Sequence, residues 1–90
     1  MFRITLVSQT EVEVVLKVEG KVTEAHVPLL EQEGRRYLRK TTRLVLDLGG
    51  VQFIDESGIA LLRRWSGGCL VLRNGSEFIR TLLKTHGLEV

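Results

Sequence analysis

Hydrophobic and polar residues alternate most cleanly over residues 12–19. Val12, Val14, Leu16 and Val18 fall on one side, and Glu13, Lys17 and Glu19 on the other. That period of two predicts a half-buried strand. Arg3 to Val7 predicts a shorter strand before it, with Ser8 to Glu11 as the hairpin connection. Gly20 closes the second strand, and Thr23 to His26 reads as an irregular turn. Pro28 lacks an N–H and is tolerated in a first helical turn, which places a helix from about Val27 to about Lys40. Leu30, Tyr37 and Leu38 form its core face, and Gly34 is an unfavourable residue inside it. Residues 43–48 (Arg-Leu-Val-Leu-Asp-Leu) are apolar on both faces up to Asp47, the pattern of a strand buried on both sides. Gly49-Gly50 is expected to break it, leaving Val51, Phe53 and Ile54 as a second short piece.

The remainder continues in the same alternation of elements. After Asp55-Glu56-Ser57-Gly58, Ile59, Leu62 and Trp65 share one face of a helix that Gly67-Gly68 stops. Cys69 to Leu72 reads as a buried strand, and Asn74-Gly75 as a turn. Ser76 is a good N-cap for a last helix carrying Phe78, Ile79, Leu82 and Leu83, with Gly87 at its C′ position and Leu88 packing back. The order β-β-α-β-α-β-α predicts an α/β fold. Its sheet is mixed, of about four to five strands, with an N-terminal hairpin and three helices.

Composition narrows the function. Ninety residues fit one domain, 1–90. No apolar run approaches the roughly 18 residues of a membrane span, so no direct membrane insertion is expected. The start lacks the basic and apolar regions of a signal peptide, and the single Cys69 offers no intrachain disulfide. A cytoplasmic setting is the reading. Thirteen Lys and Arg against 11 Asp and Glu leave a net charge of +2, with a pI near 9.0. The basic cluster Arg35, Arg36, Arg39, Lys40 and Arg43 follows the acids Glu24, Glu31 and Glu33. Acid first and base last complements a helix dipole. With no aromatics interleaved among the basic residues, no nucleic-acid partner is expected.

Candidate chemistry is sparse. There is no Gly-rich phosphate loop and no Gly-x-Gly-x-x-Gly. His26 and His86 have no metal-ligand spacing to each other or to Cys69, which reads as a small core residue. Asp47 and Asp55 face no visible substrate pocket. No catalytic residue, metal or cofactor is assigned, and the protein is not read as an enzyme. Asp55 and Ser57 each qualify as a helix N-cap.

The run from Leu44 to Leu62 carries more. Its strand ending Asp47-Leu48, its short loop, and its Ile54-Asp55-Glu56-Ser57-Gly58 step into a helix closely resemble the signature of STAS domains. These occur in anti-sigma factor antagonists and in the cytoplasmic tails of sulfate transporters. Val18-Glu19-Gly20-Lys21-Val22 is similar to the family's Gly-x-apolar step before its first helix, and Ser76 to Leu88 to its third helix. The resemblance implies a regulatory protein that binds an anti-sigma factor when bare. That partner is also a serine kinase with a histidine-kinase-like ATPase fold, and phosphorylation at Ser57 releases it. It further implies that Asp47, Asp55, Glu56 and Gly58 support the phosphosite, and that Thr23, Ile54 and Ile59 contact the partner. Glu56 stands where many antagonists have Ser or Thr, and Thr23 where Asp is common. Only eight residues, Ile59 to Ser66, separate Gly58 from Gly67. That is about two turns, shorter than the family's second helix. The alternative within the family is an accessory subunit of an ABC phospholipid transporter that grips its ATPase without phosphorylation. A homodimer is compatible with either reading.

Overall fold

Twelve consecutive residues, Arg43–Ile54, form the central strand of the molecule, β3. In the computed structural model, which describes residues 1–39 and 41–90, the other elements are β1 (Phe2–Gln9), β2 (Glu13–Val22), α1 (Val27–Leu38), α2 (Glu56–Trp65), β4 (Leu70–Arg73) and α3 (Glu77–Thr85). The expected order β-β-α-β-α-β-α is the observed one. Among the described residues the sheet has four strands in the order β1-β2-β3-β4. The hairpin pair β1–β2 is antiparallel, while β2–β3 and β3–β4 are parallel. The expected end of α1 at Lys40 lies outside the described residues.

Gly49-Gly50 does not break β3. The strand takes one extra residue against β2 between Asp47 and Gly50, and another at Gln52. Such bulges bend a strand without ending it. The second bulge sets Val51 and Ile54 inward and leaves Phe53 40 % exposed.

All three helices pack on one face of the sheet. Their buried residues Leu30, Tyr37, Ile59, Leu61, Leu62, Ile79 and Leu83 join Val14, Leu16, Val18, Leu44, Leu46 and Leu48 in one core. Val15 and Val45 are also buried but lie outside that core, beside each other in register, with Val71 as the next partner. The strand at 43–48 is therefore buried on both faces as expected, but helices cover only one of them.

Several local expectations are corrected. Val12 is exposed and precedes β2, because the hairpin connection runs through it. Phe78 is exposed on α3, whose core face is Ile79 and Leu83. Cys69 is half-buried in the turn before β4, not inside the strand, and its carbonyl accepts from the Leu44 N–H at 3.0 Å. The second helix has ten residues, since it begins at Glu56 instead of after Gly58.

Two glycines are explained by close approach. The indole of Trp65 lies against Gly34, so a Cβ on Gly34 would overlap Cη2 and meet Cζ2 at 2.7 Å. That contact packs α2 against α1 and accounts for a residue that helix propensity disfavours. Gly58 faces Ile54 Cγ2 and Val22 Cγ1, which a Cβ there would meet at 2.7 and 3.0 Å. The α3 terminus follows its expected form. Gly87 takes φ +80°, Leu88 N–H donates to Leu83 O at 2.9 Å, and Leu88 is buried.

Candidate functional site

The C-terminal ends of β2 and β3 lie side by side, with Val22 opposite Ile54. In open α/β sheets this is the end where loops gather into sites. Here two loops meet: the turn from Thr23 to His26 that leads into α1, and the step Asp55-Glu56 that leads into α2.

Asp55 joins them. Its backbone is extended (φ −86°, ψ −176°), and it is the N-cap of α2. Oδ1 accepts from the Gly58 N–H at 3.0 Å, and Oδ2 from the Glu24 N–H at 2.8 Å. Its own N–H donates to Val22 O at 3.0 Å. One carboxylate thus satisfies an otherwise unpartnered helix-start donor and ties down the neighbouring loop.

Of the two expected caps, Asp55 takes the role and Ser57 does not. Ser57 is the second residue of α2 and is half-buried. Its hydroxyl takes part in no hydrogen bond among the described residues, and no partnerless side-chain polar atom there is buried. The hydroxyl is therefore unbonded within the protein and not sealed from solvent, at a helix N-terminus where aligned backbone dipoles favour negative charge. Glu56, exposed beside it, already places one such charge in the first turn.

The turn has its own bracing. Thr23 O accepts from the N–H groups of His26 and Val27 at 2.8 and 3.0 Å. His26 Nδ1 lies 2.9 Å from Lys21 O and 3.2 Å from Thr23 Oγ1. A carbonyl only accepts, so Nδ1 carries a proton in the first of these bonds. The imidazole stacks on Phe2, with centroids 4.5 Å apart and planes 4° from parallel. His26 occupies the N-cap of α1, but its side chain caps nothing.

Not every expected residue reaches this place. Ile54 and Ile59 are 2 % and 4 % exposed and belong to the core, and each reaches the surface only as part of the lining of a shallow hollow. Phe53 is the exposed apolar side chain of that hollow, which has a volume of about 270 Å³ and is also lined by Asp55, Glu56, Leu82 and His86. The broken alternation Val51-Gln52-Phe53-Ile54 was the available signal. Asp47 accepts from the Gly49 N–H at 2.9 Å and Asn74 Nδ2 at 3.2 Å. It lies eight residues before Asp55 along the bulged β3, a span of roughly 20–26 Å at the usual rise per residue. Asp47 therefore braces the β3–β4 side, apart from Ser57. The contact of Asp55 with Glu24 and the stacking of His26 on Phe2 had no local sequence signal.

No group of three His, Cys, Asp or Glu able to hold a metal ion forms among the described residues. Nor is any helix among them long and apolar enough to cross a membrane.

Comparison with known proteins agrees with this fold. A family model described as "Mlab, STAS domain" matches residues 5–90. No match to a curated protein sequence was found. Among solved structures, the chain is similar to the anti-sigma factor antagonist SpoIIAA in its unphosphorylated form. The TM-score is 0.68 at 19 % identity, over 91 % of this chain and 82 % of that one. The phosphorylated form of the Bacillus cell fate determinant SpoIIAA gives a TM-score of 0.68 at 21 % identity, over 98 % and 85 %. An antisigma-factor antagonist STAS domain from Rhodobacter sphaeroides gives 0.60 at 20 % identity, over 84 % and 92 %. At these identities the likeness is one of fold.

Proposed function

This chain belongs to the STAS-domain family, and we propose that it is a phosphorylation-switched binding module of the anti-sigma factor antagonist kind. Its partner is an anti-sigma factor that is also a serine kinase, bound when Ser57 is bare and released when Ser57 is phosphorylated. It acts in the cytoplasm, by binding and not by catalysis. The observation that carries this reading is the Ser57 hydroxyl, free of protein hydrogen bonds and not sealed from solvent, on a helix start that Asp55 already caps. Phosphorylation therefore removes no hydrogen bond on which the fold depends. It adds about −1.5 to −2 charge where N–H dipoles accept it. A partner packed over Phe53 and Ser57 would have to bury that charge unpaired, at a cost of several kcal/mol. The known phosphorylated form of a protein with the same fold supports the same switch here.

The test is incubation with the cognate kinase and ATP, read by intact mass. One added phosphate is expected on the natural chain and none on Ser57→Ala. Equal modification of Ser57→Ala would remove Ser57 from the role. A second reading, an accessory subunit holding the ATPase of an ABC phospholipid transporter, is favoured by Glu56, a fixed negative charge beside the serine. Its signature is co-purification with an ATPase subunit that Ser57→Ala leaves unchanged.

A further inference from the structure

The sheet ends on one side in β1, whose outer edge pairs with no other strand among the described residues. Eight residues long, β1 contains no proline, lysine or acid, and Arg3 is its one charge. An open strand with so few of the features that discourage pairing is a template for another strand. The opposite edge, β4, has only four residues.

Phe2, Ile4 and Leu6 lie opposite Gly20, Val18 and Leu16, so they share the helix-covered side of the sheet. Phe2 and Ile4 are half-buried against the core, while Leu6 is 45 % exposed. This row is its own complement. When two copies run antiparallel about Ile4, Phe2 of each faces Leu6 of the other, and Ile4 faces Ile4. On the other side of the sheet Arg3 faces Thr5, so the single charge never meets its copy. A bulge between Leu6 and Ser8 bends the edge beyond this stretch, which confines the match to Phe2–Leu6.

We infer that β1 is a self-association edge, through which two copies of this chain join their sheets into one of eight strands. The contact is isologous, so the Phe2–Leu6 and Arg3–Thr5 pairs each occur twice, with Ile4–Ile4 once on the axis. It covers Leu6 and pairs the outer backbone edge of β1 over Phe2–Leu6. Antiparallel joining turns the two α2 N-termini toward opposite ends of the shared sheet and leaves both Ser57 sites open. The dimer therefore presents two copies of the binding site at once, and a clustered partner is held more tightly than a single one. Because the contact is short, the dimer is weak and concentration-dependent.

Sedimentation velocity over a concentration series tests this on the full chain. A reversible dimer is expected, and Leu6→Lys is expected to weaken association by about tenfold or more. Leu6 is exposed enough for that variant to keep its fold, which circular dichroism checks. A second measurement reads the register. In a Cys69→Ser background, Arg3→Cys and Thr5→Cys chains are mixed and oxidised. The mixture is expected to give a disulfide-linked pair that neither chain gives alone. A monomer at every concentration, association unaffected by Leu6→Lys, or no cross-link specific to the mixture would each overturn the inference.

Discussion

Asp55 holds two loops with two oxygens, so its replacement separates stability from modification. Asp55→Ala removes the α2 cap and the tether to Glu24, and is expected to cost about 1–2 kcal/mol. Asp55→Asn keeps one carbonyl acceptor and should cost less. Urea denaturation measures both, and hydrogen exchange at the Glu24 amide should quicken in Asp55→Ala, whose tether is lost. Ser57 behaves oppositely. Ser57→Asp adds a negative charge near the α2 dipole and breaks no hydrogen bond, so its unfolding free energy should stay within about 1 kcal/mol of the natural chain. Partner binding, measured by titration calorimetry, should be lost in the same variant. At this scale the Asp-Glu-Ser-Gly step was legible because a cap and the N–H that donates to it lie three residues apart. The Glu24 contact was not, because it spans 31 residues and forms only when β2 and β3 pair.

Elements show where propensity yields to packing. Alanine favours a helix over glycine by about 1 kcal/mol, so an isolated α1 would gain from Gly34→Ala. In the protein the Trp65 ring occupies the space that the new methyl needs. Gly34→Ala is therefore expected to destabilise by about 1–3 kcal/mol, the usual cost of overpacking. Trp65→Leu should abolish most of that penalty, and a double-mutant cycle by thermal or urea unfolding reads the coupling. Both halves of the contact were visible in the sequence as oddities, a glycine within a helix and a lone tryptophan at a helix end. Their meeting was not, because it depends on how α1 crosses α2. The continuity of β3 was hidden for a similar reason. A Gly-Gly pair ends an isolated strand, but here β2 continues alongside and holds it.

The molecule as a whole is one sheet with three helices on a single face, and its candidate site lies at the end where β2 and β3 finish. Element order and the parallel pairing followed from the hydrophobic pattern. The bare face did not, because Val45 between Leu44 and Leu46 reads the same whether a helix or neighbouring side chains cover it. The hairpin joins residues close in sequence, but β2 and β3 pair residues about thirty apart, from Glu13 with Arg43 to Val22 with Ile54.

That separation has a kinetic consequence. Closing the β2–α1–β3 crossover costs chain entropy before its contacts repay it. The crossover should therefore form in the folding transition state, with β1 added afterwards. Chevron measurements are expected to show Leu46→Ala slowing folding, while Ile4→Val mainly speeds unfolding. If so, the two loops that frame Ser57 come together in the rate-limiting event itself, and a kinase meets its substrate serine in place only on chains that have already committed to the native fold.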